Sequence, residues 1–298
     1  MRRIAIVIAL GGAMACHTGS QRPPAAPSAP AGQPAPARHT HENLNSVLWM
    51  QTSAEYRAST LQAYRTARLQ LDAALNDPAW TAAVEQAGNA AVEQAGNAAG
   101  LPPAIILDLD ETVLDNSAFQ ARQVADATAY SSASWNAWVE ERKAGAIPGA
   151  VAFLKYASSK GITAFYITNR DHQVEDATRD NMAKLDIPID SSRDTVLARH
   201  ENGWEQSDKA ARRQAVAANY RILLLVGDNF EDFVGGTLTT VENRRALAEK
   251  YADYWGAKWI VLPNPTYGSW ESAITSGQGQ LSDAQVLATK YKTLRTDR

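Results

Sequence analysis

The sequence predicts an α/β fold, in which a doubly wound, Rossmann-like parallel sheet carries a helical accessory (cap) part. Three observations support this prediction. After residue 101 the chain contains short, nearly continuous apolar runs, which are typical of strands buried on both faces of a parallel sheet. Helical patterns separate these runs. The first three runs also end in polar residues, as strands do where they border a ligand crevice.

The predicted strands are the four apolar runs at 104–110 (AIILDLD), 162–170 (ITAFYITNR), 221–229 (RILLLVGDN) and 258–265 (KWIVLPNP). Helical periodicity predicts crossover helices over 149–160, 171–186 and 207–220. Because the carboxyl ends of parallel strands meet at one edge of a sheet, the polar residues near the ends of the first three runs should converge on one crevice. These residues are Asp108, Asp110, Thr168, Asn169, Asp228 and Asp232.

The accessory part is expected to come from helical elements in residues 44–100 and from an insertion at 115–150. Residues 44–75 contain no Gly or Pro, and their apolar residues recur at helical spacing, which predicts one long amphipathic helix. The octamer AAVEQAGN then occurs twice, at 82–89 and at 90–97. We interpret it as a duplicated linker or helix end and assign it no function.

Residues 1–15 are predicted to be a bacterial export signal, because two arginines precede a short apolar stretch and small residues. This stretch is too short to span a membrane as a lasting anchor. Cys16, the only cysteine of the chain, follows at the position where bacterial lipoproteins are acylated. We therefore expect export, with lipidation of Cys16 and attachment to the outer membrane. Ordinary cleavage, which would give a periplasmic or secreted protein, is the alternative.

Residues 16–43 are rich in proline and alanine and offer little that could be buried, so we predict a disordered linker there. The folded domain should then span residues 44–298. With 45% hydrophobic residues in 298, the chain is long enough to bury a sizeable core. Its net charge is −3, and no run of Lys and Arg interleaved with aromatic residues occurs, which excludes a nucleic acid polymer as a partner.

Carboxylates are crowded where the first and third runs end. Asp108 and Asp110 lie two residues apart, so on an extended strand both side chains would point to the same face. Together with Asp228 they form an anionic cluster that needs a cation if all are to stay ionised near neutral pH. Oxygen ligands without a nearby His or Cys favour Mg²⁺. An isolated D-x-D pair is nevertheless more often turn chemistry, so the pair by itself does not establish catalysis.

Four sequence motifs carry a family resemblance. The segments DLDETVLDNS, YITNR, SDKAARR with its Lys209, and VGDNFEDF resemble the four motifs of the haloacid dehalogenase-like superfamily, in the form found in class C acid phosphatases. The similarity extends to the bacterial outer-membrane lipoprotein e branch through WMQTSAEYRA near the start and LPNPTYGSWE near the end. It covers the chain from Leu44 almost to the C-terminus.

The resemblance implies a role for each motif residue in a Mg²⁺-dependent acid phosphatase. Asp108 would attack phosphorus and carry an aspartyl-phosphate. Asp110 would act as the general acid and base. Thr168 and Lys209 would hold the phosphoryl oxygens. The Asp108 carboxylate, the Asp110 carbonyl oxygen and Asp228 would bind Mg²⁺, with Asp232 in support.

The resemblance also implies a substrate class. In similar proteins, an aromatic pair corresponding to Trp135 and Tyr267 stacks on the base of a nucleoside 5′-monophosphate, and nicotinamide mononucleotide is a plausible substrate. Aromatic residues at helical spacing are otherwise usually core residues. Asn169 is a further candidate for substrate binding, although Asn169 and Arg170 could equally be ordinary loop residues.

Other functions remain open at this point. A broad-specificity phosphomonoesterase or a phosphotransferase would use the same aspartates. A surface-anchored binding or storage protein without turnover would need only the phosphate and metal site. Metal-dependent phosphatase activity separates the enzymes from this last alternative.

Overall fold

Five parallel strands form the central sheet of the computed structural model, which describes residues 41–86 and 98–297. They are β1 (Pro103–Leu107), β4 (Thr163–Asp171), β5 (Val196–Arg199), β6 (Arg221–Gly227) and β7 (Trp259–Val261). Two further short strands, β2 (Leu114–Asp115) and β3 (Gly145–Ala146), pair antiparallel beside the sheet. The predicted export signal, Cys16, the linker up to residue 40 and the second octamer copy lie outside the described residues.

The order of the strands in the sheet is β5-β4-β1-β6-β7. The chain therefore builds outward from β1 in one direction and later returns to build outward in the other, which is the doubly wound arrangement. The predicted fold class is confirmed. In such a sheet the reversal of strand order leaves a crevice at the carboxyl ends of the central strands, and here those strands are β1 and its neighbours β4 and β6.

Side chains of β1 alternate between two hydrophobic cores, one on each face of the sheet. Ile105 and Leu107 belong to one core, whereas Ala104 and Ile106 belong to the other. Burial on both faces explains why the strand reads as a continuous apolar run in the sequence. The sheet therefore fixes the position of the residue that follows Leu107.

Ten helices are found within the described residues. They are α1 (Leu44–Thr52), α2 (Ala54–Asn76), α3 (Ser117–Asp126), α4 (Ser132–Glu140), α5 (Ala150–Ser159), α6 (Glu175–Lys184), α7 (Ala210–Ala217), α8 (Val241–Lys250), α9 (Ser269–Ser272) and α10 (Asp283–Thr293). The three predicted crossover helices correspond to α5, α6 and α7. Within the described residues, none of these helices combines the length and the hydropathy that crossing a lipid bilayer requires.

The prediction of one long helix over residues 44–75 is wrong. Ser53 adopts an extended conformation with ψ 140° and separates α1 from α2. Its hydroxyl oxygen accepts a hydrogen bond from the backbone nitrogen of Tyr56 at 3.0 Å, so it caps the first turn of α2. The helical spacing of apolar residues continues across this break, which is why periodicity did not reveal it.

The described part of the first octamer copy is not helical either. Ala82 and Ala83 are buried, and the Gln86 amide donates hydrogen bonds to the carbonyl oxygens of Ala217 and Tyr220 at 2.8 and 2.7 Å. This segment is therefore packed against the body of the domain. The second copy lies outside the described residues.

Helix α2 holds the turn that follows β1. The Tyr64 hydroxyl donates a hydrogen bond of 2.6 Å to the carbonyl oxygen of Thr112. Gly149 lies against the same tyrosine with φ 97°, and a Cβ at this position would come within 3.0 Å of the Tyr64 Cβ. The accessory helix thus packs closely enough to fix the backbone beside the predicted catalytic aspartates.

Candidate active site

Three carboxylates meet at the carboxyl ends of β1 and β6. Asp108 directly follows β1, Asp228 directly follows β6, and Asp232 lies in the 3₁₀ turn Phe230–Asp232. Each offers a carboxylate oxygen, and these three oxygens all lie within 4.8 Å of one another. The turn can fold back this closely because residue 227 is glycine, since a Cβ there would collide with the Asp232 carboxylate.

Lys209, the residue before α7, supplies a positive charge to this cluster. Its ammonium group donates hydrogen bonds to the carboxylates of Asp108 and Asp232, the latter at 2.6 Å. The side chains of all three residues are less than a tenth exposed. Burial by itself would lower the pKa of Lys209, but the attraction of the two carboxylates outweighs burial and raises that pKa. Lys209 therefore remains charged at neutral pH.

The single positive charge of Lys209 does not balance the negative charges of three carboxylates, of which Asp108 and Asp232 are buried and Asp228 is half-buried. Burial is the main reason why the pKa of Asp108 is raised, and the charges of Asp232 and Asp110 add to it although Lys209 opposes them. The pKa of Asp228 is likewise raised, first by burial and then by Asp108 and Asp232. A further cation would let all three ionise. The residues present thus fit a divalent metal ion with oxygen ligands.

The Asp228 carboxylate is held by neutral donors. The Thr112 hydroxyl donates to one oxygen at 3.0 Å and the Asn264 amide donates to the other at 2.9 Å. Each carboxylate oxygen has two lone pairs, so one on each remains for a metal ion. Neither Thr112 nor Asn264 was predicted to contact the cluster.

Asp110 is held by a different set of partners, and its side chain is not part of the three-carboxylate cluster of the described structure. The Arg170 guanidinium donates to the Asp110 carboxylate from Nε at 3.0 Å and from Nη2 at 2.8 Å. The Asn116 amide nitrogen adds a third hydrogen bond of 2.9 Å. The Asn116 oxygen in turn accepts from the Trp138 indole at 2.9 Å. Two aspartates that are close in sequence are thus oriented by separate partners.

Arg170 was not singled out as a site residue by the sequence. Its side chain is only 1% exposed, although it ends the YITNR motif and could have been an ordinary loop residue. The one feature of the sequence that could have indicated Arg170 as a site residue is its position as a charged residue at the end of an apolar run. The partner that explains its burial lies sixty positions earlier in the chain.

Thr168 and Asn169 lie at the end of β4. The Thr168 hydroxyl lies 3.5 Å from the Asp110 carboxylate and accepts a hydrogen bond from the Arg170 backbone nitrogen at 3.1 Å. Arg212 binds both residues, through the Thr168 carbonyl oxygen at 2.5 Å and the Asn169 side-chain oxygen at 2.6 Å. Thr168 is fully buried beside Asp110, whereas Asn169 lines the cavity described next.

A cavity of about 920 Å³ extends from the carboxylate cluster to two aromatic rings. Trp135 on α4 and Tyr267 after β7 both line it. The Trp135 ring packs edge-on against Phe119 with centroids 5.1 Å apart, and the Arg170 guanidinium lies 5.6 Å from its centroid. The predicted site residues that line this cavity are Asp108, Asp110, Trp135, Asn169, Lys209, Asp228, Asp232 and Tyr267.

Tyr267 is tied to the turn after β1 through Glu111. The Tyr267 hydroxyl donates a hydrogen bond to the Glu111 carboxyl group, whose other oxygen accepts from the Asn116 backbone nitrogen at 2.9 Å. Burial, followed by the charge of Asp110, raises the pKa of Glu111 to about 8. Glu111 has φ 56°, a left-handed conformation that turns the chain immediately after Asp110. The cavity wall and the turn that follows β1 are therefore directly connected.

Comparison with known proteins places these features in one family. Residues 12–270 match the family model described as HAD superfamily, subfamily IIIB (Acid phosphatase). The structure is similar to that of the class C acid phosphatase from Bacillus anthracis, with a TM-score of 0.72, 34% identity, and coverage of 85% of this chain and 97% of that chain. A second structure of that enzyme, with tungstate bound, gives a TM-score of 0.72 and 33% identity over the same shares of the chains.

We expect the substitution Arg170→Met to lower the free energy of unfolding by about 3 kcal/mol, because it removes the cationic partner of a largely buried carboxylate. Arg142→Met, which breaks ion pairs of a partly exposed arginine with the exposed carboxylates of Glu140 and Asp180, is the control and should have a much smaller effect. Urea unfolding measures both. Adding Asp110→Asn to Arg170→Met should recover part of the lost stability, because it removes the charge that has no partner. If the double variant lost as much stability as the two single variants together, Asp110 and Arg170 would not be coupled.

Proposed function

Because this chain belongs to the acid phosphatases of HAD subfamily IIIB and hydrolyses phosphate monoesters, we propose that its substrates are nucleoside 5′-monophosphates, with nicotinamide mononucleotide among them. We further propose that the enzyme is exported and depends on Mg²⁺. The observation that carries the substrate proposal is the single cavity that joins the carboxylate–lysine cluster to the rings of Trp135 and Tyr267.

The cavity supports a nucleotide by its size and its lining. Its volume lies within the range of roughly 300 to 1,000 Å³ that is usual for small-molecule sites. Stacking of a base on an aromatic ring contributes roughly 1 to 3 kcal/mol and tolerates different bases. Both rings are positioned by neighbours, Trp135 by Phe119 and Tyr267 by Glu111, so little conformational freedom is lost when a base binds between them.

The proposed reaction has two steps. A carboxylate oxygen of Asp108 attacks phosphorus, which forms an aspartyl-phosphate and breaks the bond to the ester oxygen, while Asp110 gives a proton to that oxygen. Asp110 then takes a proton from water as the water oxygen attacks phosphorus, which releases phosphate and restores Asp108. Arg170 and Asn116 hold the Asp110 carboxylate in place for both transfers.

Lys209 and Thr168 are proposed to hold the phosphoryl oxygens. Lys209 is buried, charged and bonded to the nucleophile, so it would also reduce repulsion between Asp108 and the phosphate dianion. Tungstate, which is bound to the similar enzyme from Bacillus anthracis, is an oxyanion like phosphate and supports an oxyanion site in this family. Thr168 is buried beside Asp110, so its proposed contact to the substrate rests on the family resemblance.

Asp108 and Asp228 are proposed to bind Mg²⁺ through their carboxylates and Asp110 through its carbonyl oxygen. When bound, the ion would neutralise the phosphate and the nucleophile. Asp232 already accepts hydrogen bonds from Lys209 and from the Asn229 backbone nitrogen at 2.9 Å, which suits a supporting position rather than a direct ligand.

Export and lipidation at Cys16 are proposed from the sequence alone, since these residues lie outside the described part of the chain. An acylated Cys16 would place the enzyme at the outer membrane, where it could release nucleosides and phosphate for uptake.

We expect Asp108→Asn to abolish turnover and phosphoenzyme formation, because the amide is a poor nucleophile. Asp115→Asn is a matched control in the same segment, since Asp115 caps α3 through the Ser117 backbone nitrogen at 2.9 Å and lies outside the cluster. Trapping of the phosphoenzyme under acid measures the intermediate. Full activity of Asp108→Asn would contradict the mechanism.

In the unsubstituted enzyme, removal of divalent metal ions by a chelator should abolish phosphatase activity, and addition of Mg²⁺ should restore it.

Trp135→Ala should raise KM for nucleoside 5′-monophosphates by about tenfold, because the loss of one stacked ring costs roughly 1 to 3 kcal/mol. KM for a small aryl phosphate should rise much less. The packing control is Phe165→Leu, which removes a buried ring that packs against Tyr220 away from the cavity and should affect both substrates alike. Equal effects of Trp135→Ala on the two substrates would count against base stacking.

Mass spectrometry of the mature N-terminus tests the proposed anchor. We expect a chain that begins at Cys16 and carries the mass of attached acyl groups. An unmodified N-terminus would show ordinary secretion instead.

A further inference from the structure

The outer wall of the cavity comes from residues beyond the part of the chain that matches the family model. That match ends at residue 270, yet the cavity that contains Asp108 is also lined by five later residues. These are Glu271, Ser272, Thr275, Val286 and Lys290. The last two belong to α10, so the C-terminal segment 271–297 borders the same space as the nucleophile.

Lys290 ties this wall to two other segments. Its ammonium group lies 2.5 Å from a carboxylate oxygen of Glu42 and 2.5 Å from one of Glu271. Glu42 precedes α1 and lines the cavity with its neighbours His41 and Asn43. We call this pair of contacts the Lys290 latch, because it connects the two ends of the described chain across the cavity rim.

Helix α10 has little else to hold it in place. Of its described residues, none is buried. Val286 and Lys290 are four residues apart and line the cavity from one face, whereas Leu287 and Tyr291 are 41% and 68% exposed. Hydrophobic burial therefore contributes little to the position of α10. The two ion pairs of Lys290 contribute a large part of the free energy that holds α10 against the cavity.

We propose that segment 271–297 is a specificity-determining wall of the substrate cavity and that the Lys290 latch limits the size of the leaving group. An ester whose leaving group fits within about 920 Å³ binds with the wall closed. A larger ester must displace α10, and the displacement breaks both ion pairs before phosphorus reaches Asp108. The proposal requires that phosphate monoesters bind in this cavity, and it does not require a nucleoside as the leaving group.

Two aryl phosphates of different size test the proposal, and the difference in the acidity of their leaving groups cancels when the same rate ratio is compared between variants. They are p-nitrophenyl phosphate and a short phosphotyrosine peptide, and the readout is the ratio of kcat/KM for the peptide to that for the small ester. Lys290→Met keeps an unbranched side chain that is one heavy atom shorter and removes its charge. Since partly exposed ion pairs contribute up to about 1 kcal/mol each, we expect the ratio to rise about fivefold.

Lys292→Met is the matched control, because Lys292 lies on the same helix and is exposed. It should leave the ratio unchanged. In the unsubstituted enzyme the ratio should also rise as NaCl screens the latch, and this salt dependence should disappear in Lys290→Met. If Lys290→Met acted only through a loss of packing, the salt dependence of the ratio would not differ between the variant and the unsubstituted enzyme.

Glu42→Gln provides a second variant in case Lys290→Met folds poorly. It removes the negative charge from one of the two contacts, so the ratio should rise by less than in Lys290→Met. An unchanged ratio in both variants, or an equal rise in Lys292→Met, would overturn the proposal. A failure of the nucleotide proposal would be visible separately, because neither probe contains a base.

Discussion

The contact of Lys209 with Asp108 and Asp232 is the interaction on which the active site depends. It connects the end of β1, the start of α7 and the turn after β6 through side chains that are less than a tenth exposed. Carboxylates buried this close together resist ionisation unless a cation is present. Lys209 supplies one positive charge permanently, and the remaining negative charge fits a divalent ion. The same electrostatic requirement therefore explains the buried lysine and why the three carboxylates could hold a metal ion.

Separate partners allow two neighbouring aspartates to do different work. Asp108 faces a lysine and two carboxylates, whereas Asp110 is held by Arg170 and Asn116. The proposed roles of nucleophile and proton-transfer group need different surroundings, and a two-residue spacing at the end of a strand provides both. The turn that separates them is fixed by Tyr64 from the accessory helix and by the left-handed conformation of Glu111.

Local patterns in the sequence were sufficient to predict four of the five strands of the central sheet and the convergence of Asp108, Asp228 and Asp232. Strands buried on both faces leave continuous apolar runs, and residues that end such runs meet at one edge whatever lies between them. The break at Ser53 was not predictable, because helical spacing continues on both sides of it. Strand β5 was missed because its four residues are too few to stand out. Arg170, Asn264 and Lys290 are ordinary polar residues in the sequence, and their partners lie 60, 36 and 248 positions away.

The position of β1 in the middle of the sheet has a consequence for the durability of the enzyme. Its backbone is paired with β4 on one side and β6 on the other, whereas β5 and β7 form the margins. Partial opening of a sheet starts where strands have a neighbour on one side only, and amide protons of central strands exchange through global unfolding. Fraying at the margins would therefore leave Asp108 in place. The carboxylate cluster at the ends of β1 and β6 should stay assembled until the whole domain unfolds.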